Sequence, residues 1–198
     1  MTPTLLARNM AEHALTIESL YLLGGQVEQA AQTMAKSLLN GGKLMLCGNG
    51  GSASDAQHFA AEMMGRFLQD RHPYAAIALA TDTSVLTCIA NDYAYDQVFA
   101  RQIQGLGRSG DVLIALSTSG NSENVVQAAL QAKAMGVCVL GLMGGDGGLL
   151  NDICDLALVV SSANTARIQE AHILLIHTLC ELIEQHLKAE TSVDENAI

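Results

Sequence analysis

Apolar positions change their spacing several times along the chain, and those changes divide it into elements. Leu6, Met10, Leu15, Ile17 and Leu20, then Val27, Ala30, Met34 and Leu38, recur every three to four residues. That spacing predicts helices over 5–22 and 26–40, with Asn40-Gly41-Gly42 as the C-terminal stop of the second. Leu44 to Cys47 is instead a short unbroken apolar run, the pattern of a parallel strand covered on both faces. It predicts a strand over 44–48, and similar runs predict strands at 75–80, 111–116, 137–142 and 156–160. Helical spacing returns between them, over 52–67, 83–90, 95–106 and 122–135. Thr81-Asp82 can cap the segment 83–90, Asn91-Asp92 breaks it, and Gly136 ends the helix before the fourth strand. Residues 144–148 read as a glycine-rich loop. A last apolar-periodic helix spans 165–187, and the polar tail 188–198 is expected to be disordered.

Strands alternating with helices predict an α/β fold: a doubly wound, five-stranded parallel sheet with N-terminal helices and a long C-terminal helix. Residues 1–187 form a single domain in this reading. Ligands in such folds sit at the carboxyl ends of the strands. The first helix carries apolar residues on more than one side (Leu5, Leu15, Tyr21, Leu22), which fits either core burial or packing against another subunit.

Composition narrows the class. A formal net charge of −10 over 198 residues argues against a general binder of nucleic acid or of anionic membranes. Any anionic ligand must then be held by local dipoles and hydroxyls. The five cysteines (Cys47, Cys88, Cys138, Cys154, Cys180) are odd in number, contain no CxxC, and mostly sit in apolar runs. They read as reduced thiols of a cytoplasmic protein. No signal peptide and no apolar stretch of membrane length is recognisable.

Candidate chemistry concentrates in two loops and two helices. Gly48-Asn49-Gly50-Gly51-Ser52 follows the first strand and opens a helix. Missing Cβ atoms there let backbone N–H groups approach an anion, and the helix N-terminus adds partial positive charge. On that helix His58 and Glu62, spaced i, i+4, share one face as a potential metal or acid–base pair. The same loop matches a loose dinucleotide fingerprint, Gly48-x-Gly50-x-x-Ala53. That fingerprint wants an acidic residue about 20 positions on, whereas Asp82 follows the second strand more than 30 positions on. The second loop, Ser117-Thr118-Ser119-Gly120-Asn121-Ser122, crowds hydroxyls at a helix start. Capping by Ser119, Asn121 or Ser122 would need only one of them; the full set suits a phosphate monoester. In the last helix His172 and His177 read, one at a time, as hydrogen-bonded core histidines, and Arg167 and Glu170 as solvated or paired.

Taken together, Gly48–Ser52, the helix Ala56-Gln-His-Phe-Ala-Ala-Glu62, Ser117–Ser122 and Arg167-Ile-Gln-Glu-x-His172 resemble a sugar isomerase (SIS) domain, and within it the bacterial phosphoheptose isomerases, over roughly residues 5–187. The resemblance implies a flavodoxin-like SIS fold. It implies conversion of sedoheptulose 7-phosphate to D-glycero-D-manno-heptose 7-phosphate, feeding ADP-heptose synthesis for the lipopolysaccharide core. It further implies a cytoplasmic homotetramer with active sites at subunit interfaces and one Zn²⁺ per subunit. The implied metal ligands are His58, Glu62, Gln169 and His177, with Glu62 and His177 as the acid–base pair. The implied substrate contacts are Asn49, Gly50, Gly51, Ser52, Glu62, Asn91, Asp92, Ser117, Thr118, Ser119, Ser122 and Gln169. Ala166 departs from family members that carry Asp before the Arg-Ile-Gln motif. Two alternatives stay open: a SIS-type regulatory module that binds the replication initiator protein, and an isomerase of another sugar phosphate. The regulator lacks, by its pattern, the equivalents of Glu62 and His177.

Geometry constrains the implied ligand set. Residues eight apart on one helix are separated by about 12 Å along its axis. Gln169 and His177 can therefore reach one ion only if both side chains stretch toward each other, and the expectation is that more than one chain contributes or that the helix is irregular before about Ile173.

Overall fold

The computed structural model describes residues 3–195, and side chains through residue 188. α1 (Leu5–Ser19) starts where the Thr4 hydroxyl accepts from the Ala7 N–H. A 3-10 turn over Leu20–Leu23 leads directly into α2 (Gly24–Leu39), so the two predicted N-terminal helices are nearly continuous. The five strands are β1 (Leu44–Cys47), β2 (Ala76–Ala78), β3 (Val112–Ser117), β4 (Cys138–Gly144) and β5 (Leu156–Val160). All neighbours are parallel, in the order β2-β1-β3-β4-β5. This is the doubly wound, flavodoxin-like arrangement expected from the apolar runs.

Strand alternation divides the interior into two layers. Leu44, Leu46, Ile114, Leu116, Leu140 and Leu142 face α2, α3 (Gly51–Met64) and α8 (Thr165–Glu195). Met45, Cys47, Leu113, Ala115 and Val139 face the other side, where α4 (Thr83–Asp92), α5 (Ala100–Leu106) and α6 (Glu123–Ala134) cover the sheet. Burial on both faces is why the strands read as unbroken apolar runs.

Four boundaries depart from expectation. Asn91 and Asp92 do not break α4; they form its last turn, because both side chains can stay exposed at a helix end. Asp82 does cap that helix, accepting from the N–H groups of Ser84 and Val85. The segment 95–106 is a 3-10 turn (Tyr95–Gln97) followed by α5. The glycine-rich loop continues into a short helix, α7 (Gly148–Ile153), too brief to leave a periodic signal. Finally, α8 runs on through Glu195, so the described part of the tail expected to be disordered is helical; 196–198 lie outside the described residues. Among the described residues no helix is long and apolar enough to cross a membrane.

The chain leaves β1 for β2 on one side, then returns to place β3 on the other. This switch of direction opens a crevice at the carboxyl ends of β1 and β3. The loops that open there are the Gly48–Gly51 turn and the Thr118–Ser122 segment.

Candidate active site

Tight backbone packing shapes the first loop. Gly50, the N-cap of α3, has φ +55°, a conformation that favours glycine. At Gly51 an added Cβ would come within 2.3 Å of the Gln169 side chain. Ser52 is buried, and its N–H donates to the Asn49 carbonyl at 3.0 Å. Asn49 and the buried Asn124 exchange side-chain amide hydrogen bonds, 2.8 Å each way, and the Tyr95 hydroxyl adds a third at 3.1 Å to Asn49 Oδ1. Asn49 thus clamps the β1 turn to the first turn of α6. Neither Asn124 nor Tyr95 stood out in the sequence; an amide in a helix's first turn with no capping position to fill was the available signal for Asn124.

The second loop is held open at its helix start. Ser122 is the N-cap residue of α6, yet its side chain makes no capping bond; it accepts from the Ser117 hydroxyl at 3.0 Å instead. The start of α6 therefore has no side-chain cap, although the Val125 and Val126 N–H groups donate to the Ser122 carbonyl; the helix start before them is where an anion would be held. Ser119 is drawn into the turn itself, accepting from the Asn121 N–H. Gly120, at φ +65°, lies so close to the Gly147–Gly148 backbone that no side chain fits. A cavity of about 250 Å³ beside this loop is lined by Thr118, Ser119, Gly144, Gly145 and Thr165, among others.

Across the α3–α8 contact, three chemical groups converge. His58 Nε2 lies 3.0 Å from Glu62 Oε1 and 3.1 Å from His177 Nε2, and His177 Nε2 lies 3.8 Å from Glu62 Oε1. Two imidazoles and one carboxylate form a donor set used by catalytic zinc. A tetrahedral ion with bonds near 2.0–2.1 Å has ligand–ligand edges of about 3.3 Å, close to these separations. The side chains of His58 and His177 remain 46% and 41% exposed, so the cluster is open on one side, as a catalytic site must be. His177 also stacks on Phe67, with ring centroids 5.7 Å apart.

Several residues fix this arrangement from below. The Cys180 thiol donates to Glu62 Oε2 at 3.2 Å; burial and then the Glu62 bond push that thiol far above its usual range. Buried Glu184 accepts from the N–H groups of Phe67, Leu68 and Gln69 and from Arg71 Nε. Arg71 in turn donates to the carbonyls of Glu62 and Met63, closing the end of α3. Asp55, one turn before His58, has its carboxyl raised by burial, with His58 opposing, and its Oδ2 is unpartnered.

The remaining expected residues fall elsewhere. Gln169 lies against Gly51, about 12 Å along α8 from His177. α8 is one α-helix from Thr165 onward, so helix irregularity does not bring the two together. Asn91 and Asp92 are exposed on α4 and bonded to each other, with Asp92 also accepting from Cys88. Arg167 pairs with Glu170 and bonds the Asn9 carbonyl, which ties α8 to α1. His172 is the buried histidine anticipated from the sequence: its Nε2 faces the Met143 carbonyl at 3.2 Å, and burial, opposed by that bond, lowers its pKa to about 4.

Comparison with known proteins places the chain among relatives. The pattern of the SIS domain family matches residues 13–144. The phosphoheptose isomerase of Campylobacter concisus (strain 13826) is 53% identical over 185 residues, covering 93% of this chain and 98% of that protein. The enzyme of the same name from Helicobacter pylori (strain P12) is 54% identical over 169 residues, covering 85% and 88%. A solved phosphoheptose isomerase from Neisseria gonorrhoeae superposes with a TM-score of 0.84 at 48% identity, covering 92% of this chain and all of that one.

Proposed function

The chain belongs to the phosphoheptose isomerases of the SIS-domain family, and we propose that it converts sedoheptulose 7-phosphate to D-glycero-D-manno-heptose 7-phosphate through an enediol, as a step toward ADP-heptose. The observation that carries this reading is the convergence of His58, Glu62 and His177 within one chain.

Aldose–ketose isomerisation moves a proton between C1 and C2 while charge develops on oxygen. It needs a base beside those carbons, an acid at the oxygens and a remote phosphate anchor. The uncapped start of α6, with Ser117, Thr118, Ser119 and Ser122, is the anchor. Asn49, Gly50, Gly51 and Ser52 line the sugar side, with Asn91, Asp92 and Gln169 contributing at the margins. Glu62 takes the proton from one carbon and returns it to the other, and His177 is the matching acid. His58, Glu62 and His177 would hold a Zn²⁺, and such an ion would supply polarisation of a carbonyl oxygen. One atom cannot both hold an ion and move a proton. Glu62 and His177 each turn one atom to the cluster, Oε1 and Nε2, so each would move a proton only while that atom was not holding the ion.

His58 lies about 10 Å along α3 from Gly51. A ligand anchored at the loops must be extended to reach the cluster, or the cluster and loops of different chains form one site. The second arrangement accords with a homotetramer whose active sites lie at interfaces. Leu5, Leu6, Met10, Leu15, Tyr21 and Leu22 of the N-terminal helical segment are exposed in the single chain and would be covered there. It also offers a route for Gln169 to join a metal site, from another subunit. The five cysteines are free, as in a reducing cytoplasm.

Incubation with sedoheptulose 7-phosphate, with and without a chelator, tests the reading by following aldoheptose formation. Zinc-dependent product is expected. No product in the presence of zinc would overturn it in favour of a sugar-phosphate-binding module.

A further inference from the structure

Glu62 is asked for two duties, and its two oxygens stand in different surroundings. Oε1 faces the histidines, 3.0 Å from His58 Nε2. Oε2 turns away from them and accepts the Cys180 S–H at 3.2 Å. Cys180 is fully buried on α8, one turn beyond His177, so water does not compete for that contact. The terminal torsion of a glutamate is broad and roughly two-fold, so without a second contact the carboxylate can rotate and exchange its oxygens. Arg71, the guanidinium beside this part of α3, is engaged by Glu184 and by the Glu62 and Met63 carbonyls rather than by the Glu62 carboxylate.

We propose that Cys180 is a positioning residue for the isomerisation: its S–H holds Oε2 and thereby presents Oε1 of Glu62 to the histidine side of the cluster. A thiol is a weak donor, so it orients the carboxylate without tying it up as an ammonium or guanidinium would. This assignment rests on the isomerase reading of Glu62 and adds to it the group that distinguishes the two oxygens.

The test compares Cys180→Ala and Cys180→Val, which remove the donor with a smaller and a branched side chain, against Cys180→Ser, which keeps an O–H. Loss of a group that orients a ligand costs on the order of 10–100-fold in activity or metal affinity. The Ala and Val variants are expected to lose that much in kcat with KM little changed, and Ser to recover most of it. Zinc affinity, measured by competition with a chromophoric chelator, follows the same order. Packing loss alone would not favour Ser, which offers an apolar core no more than Ala does. Folded Ala and Val variants with wild-type kcat and wild-type zinc affinity would overturn the assignment while leaving the isomerase reading intact. A wild-type protein inactive on sedoheptulose 7-phosphate would sink the isomerase reading instead, and the zinc-affinity order would still decide the role of Cys180.

Discussion

Replacing Glu184 with Ala removes the acceptor that joins the end of α3 to α8. The wild-type carboxylate is 2% exposed and takes hydrogen bonds from three consecutive backbone N–H groups, at 3.2, 3.3 and 3.2 Å, and from Arg71 Nε at 2.8 Å. Alanine leaves a buried guanidinium without its counter-charge and three N–H groups without an acceptor. Breaking a buried ion pair from one side costs about 3–5 kcal/mol. The Arg71 contacts that survive, to the Met63, Glu62 and His72 carbonyls, favour the lower end. At 150–250 residues each kcal/mol moves the midpoint by about 2–4 °C, so Glu184→Ala should lower Tm by roughly 6–20 °C. Thermal unfolding by circular dichroism at one fixed protein concentration measures this. Glu184→Gln keeps one acceptor and should fall between Ala and wild type. Since the loop carries Phe67 onto His177, trypsin should also cut faster at the exposed Arg66. A Glu184→Ala protein within 2 °C of wild type (against that expected range) and unchanged toward trypsin would refute the clamp.

Glu62→Gln should reduce turnover by about 10²–10⁴-fold while sugar-phosphate binding persists in calorimetry; near-normal rates would remove Glu62 from the role of base. Gly120→Ala combines a left-handed backbone, worth about 1–2 kcal/mol, with a clash against the Gly147 carbonyl. It should lower the urea midpoint by more than the backbone alone accounts for, and a midpoint equal to wild type would contradict the close approach. His172 has its pKa lowered from 6.5 to about 4 by burial. The unfolded chain then binds that proton more readily, so stability is greatest above about pH 6.5 and declines by up to about 3 kcal/mol as pH falls toward 4. His172→Gln should flatten that part of a stability–pH curve measured by urea unfolding, and an unchanged slope would remove His172 as its source.

Element by element, the residues that reveal themselves in order of sequence are those whose role is local. The apolar runs of β1 and β3 announce strands because both faces are covered, whatever covers them. Asp82 caps α4 through its own neighbours, and His58 and Glu62 meet because an α-helix places i and i+4 on one face. The glycine turn and the hydroxyl loop were legible for the same reason. The approach of His177 to His58 from 119 residues away was not legible in either helix by itself and was implied only by the family resemblance. Periodicity says which face of a helix is buried but not which helix it meets, and that depends on the strand order that lays α8 across α3. The same ordering sets Gln169 against Gly51, while its spacing along α8 keeps it from His177, and it pairs Asn49 with Asn124 and gives Cys180 a carboxylate to face. Sequence alone therefore determined the layers, the two loops and two of the cluster's three residues, His58 and Glu62. Tertiary structure decided which distant side chains complete it, because those contacts come from how layers pack and not from any residue's own neighbours.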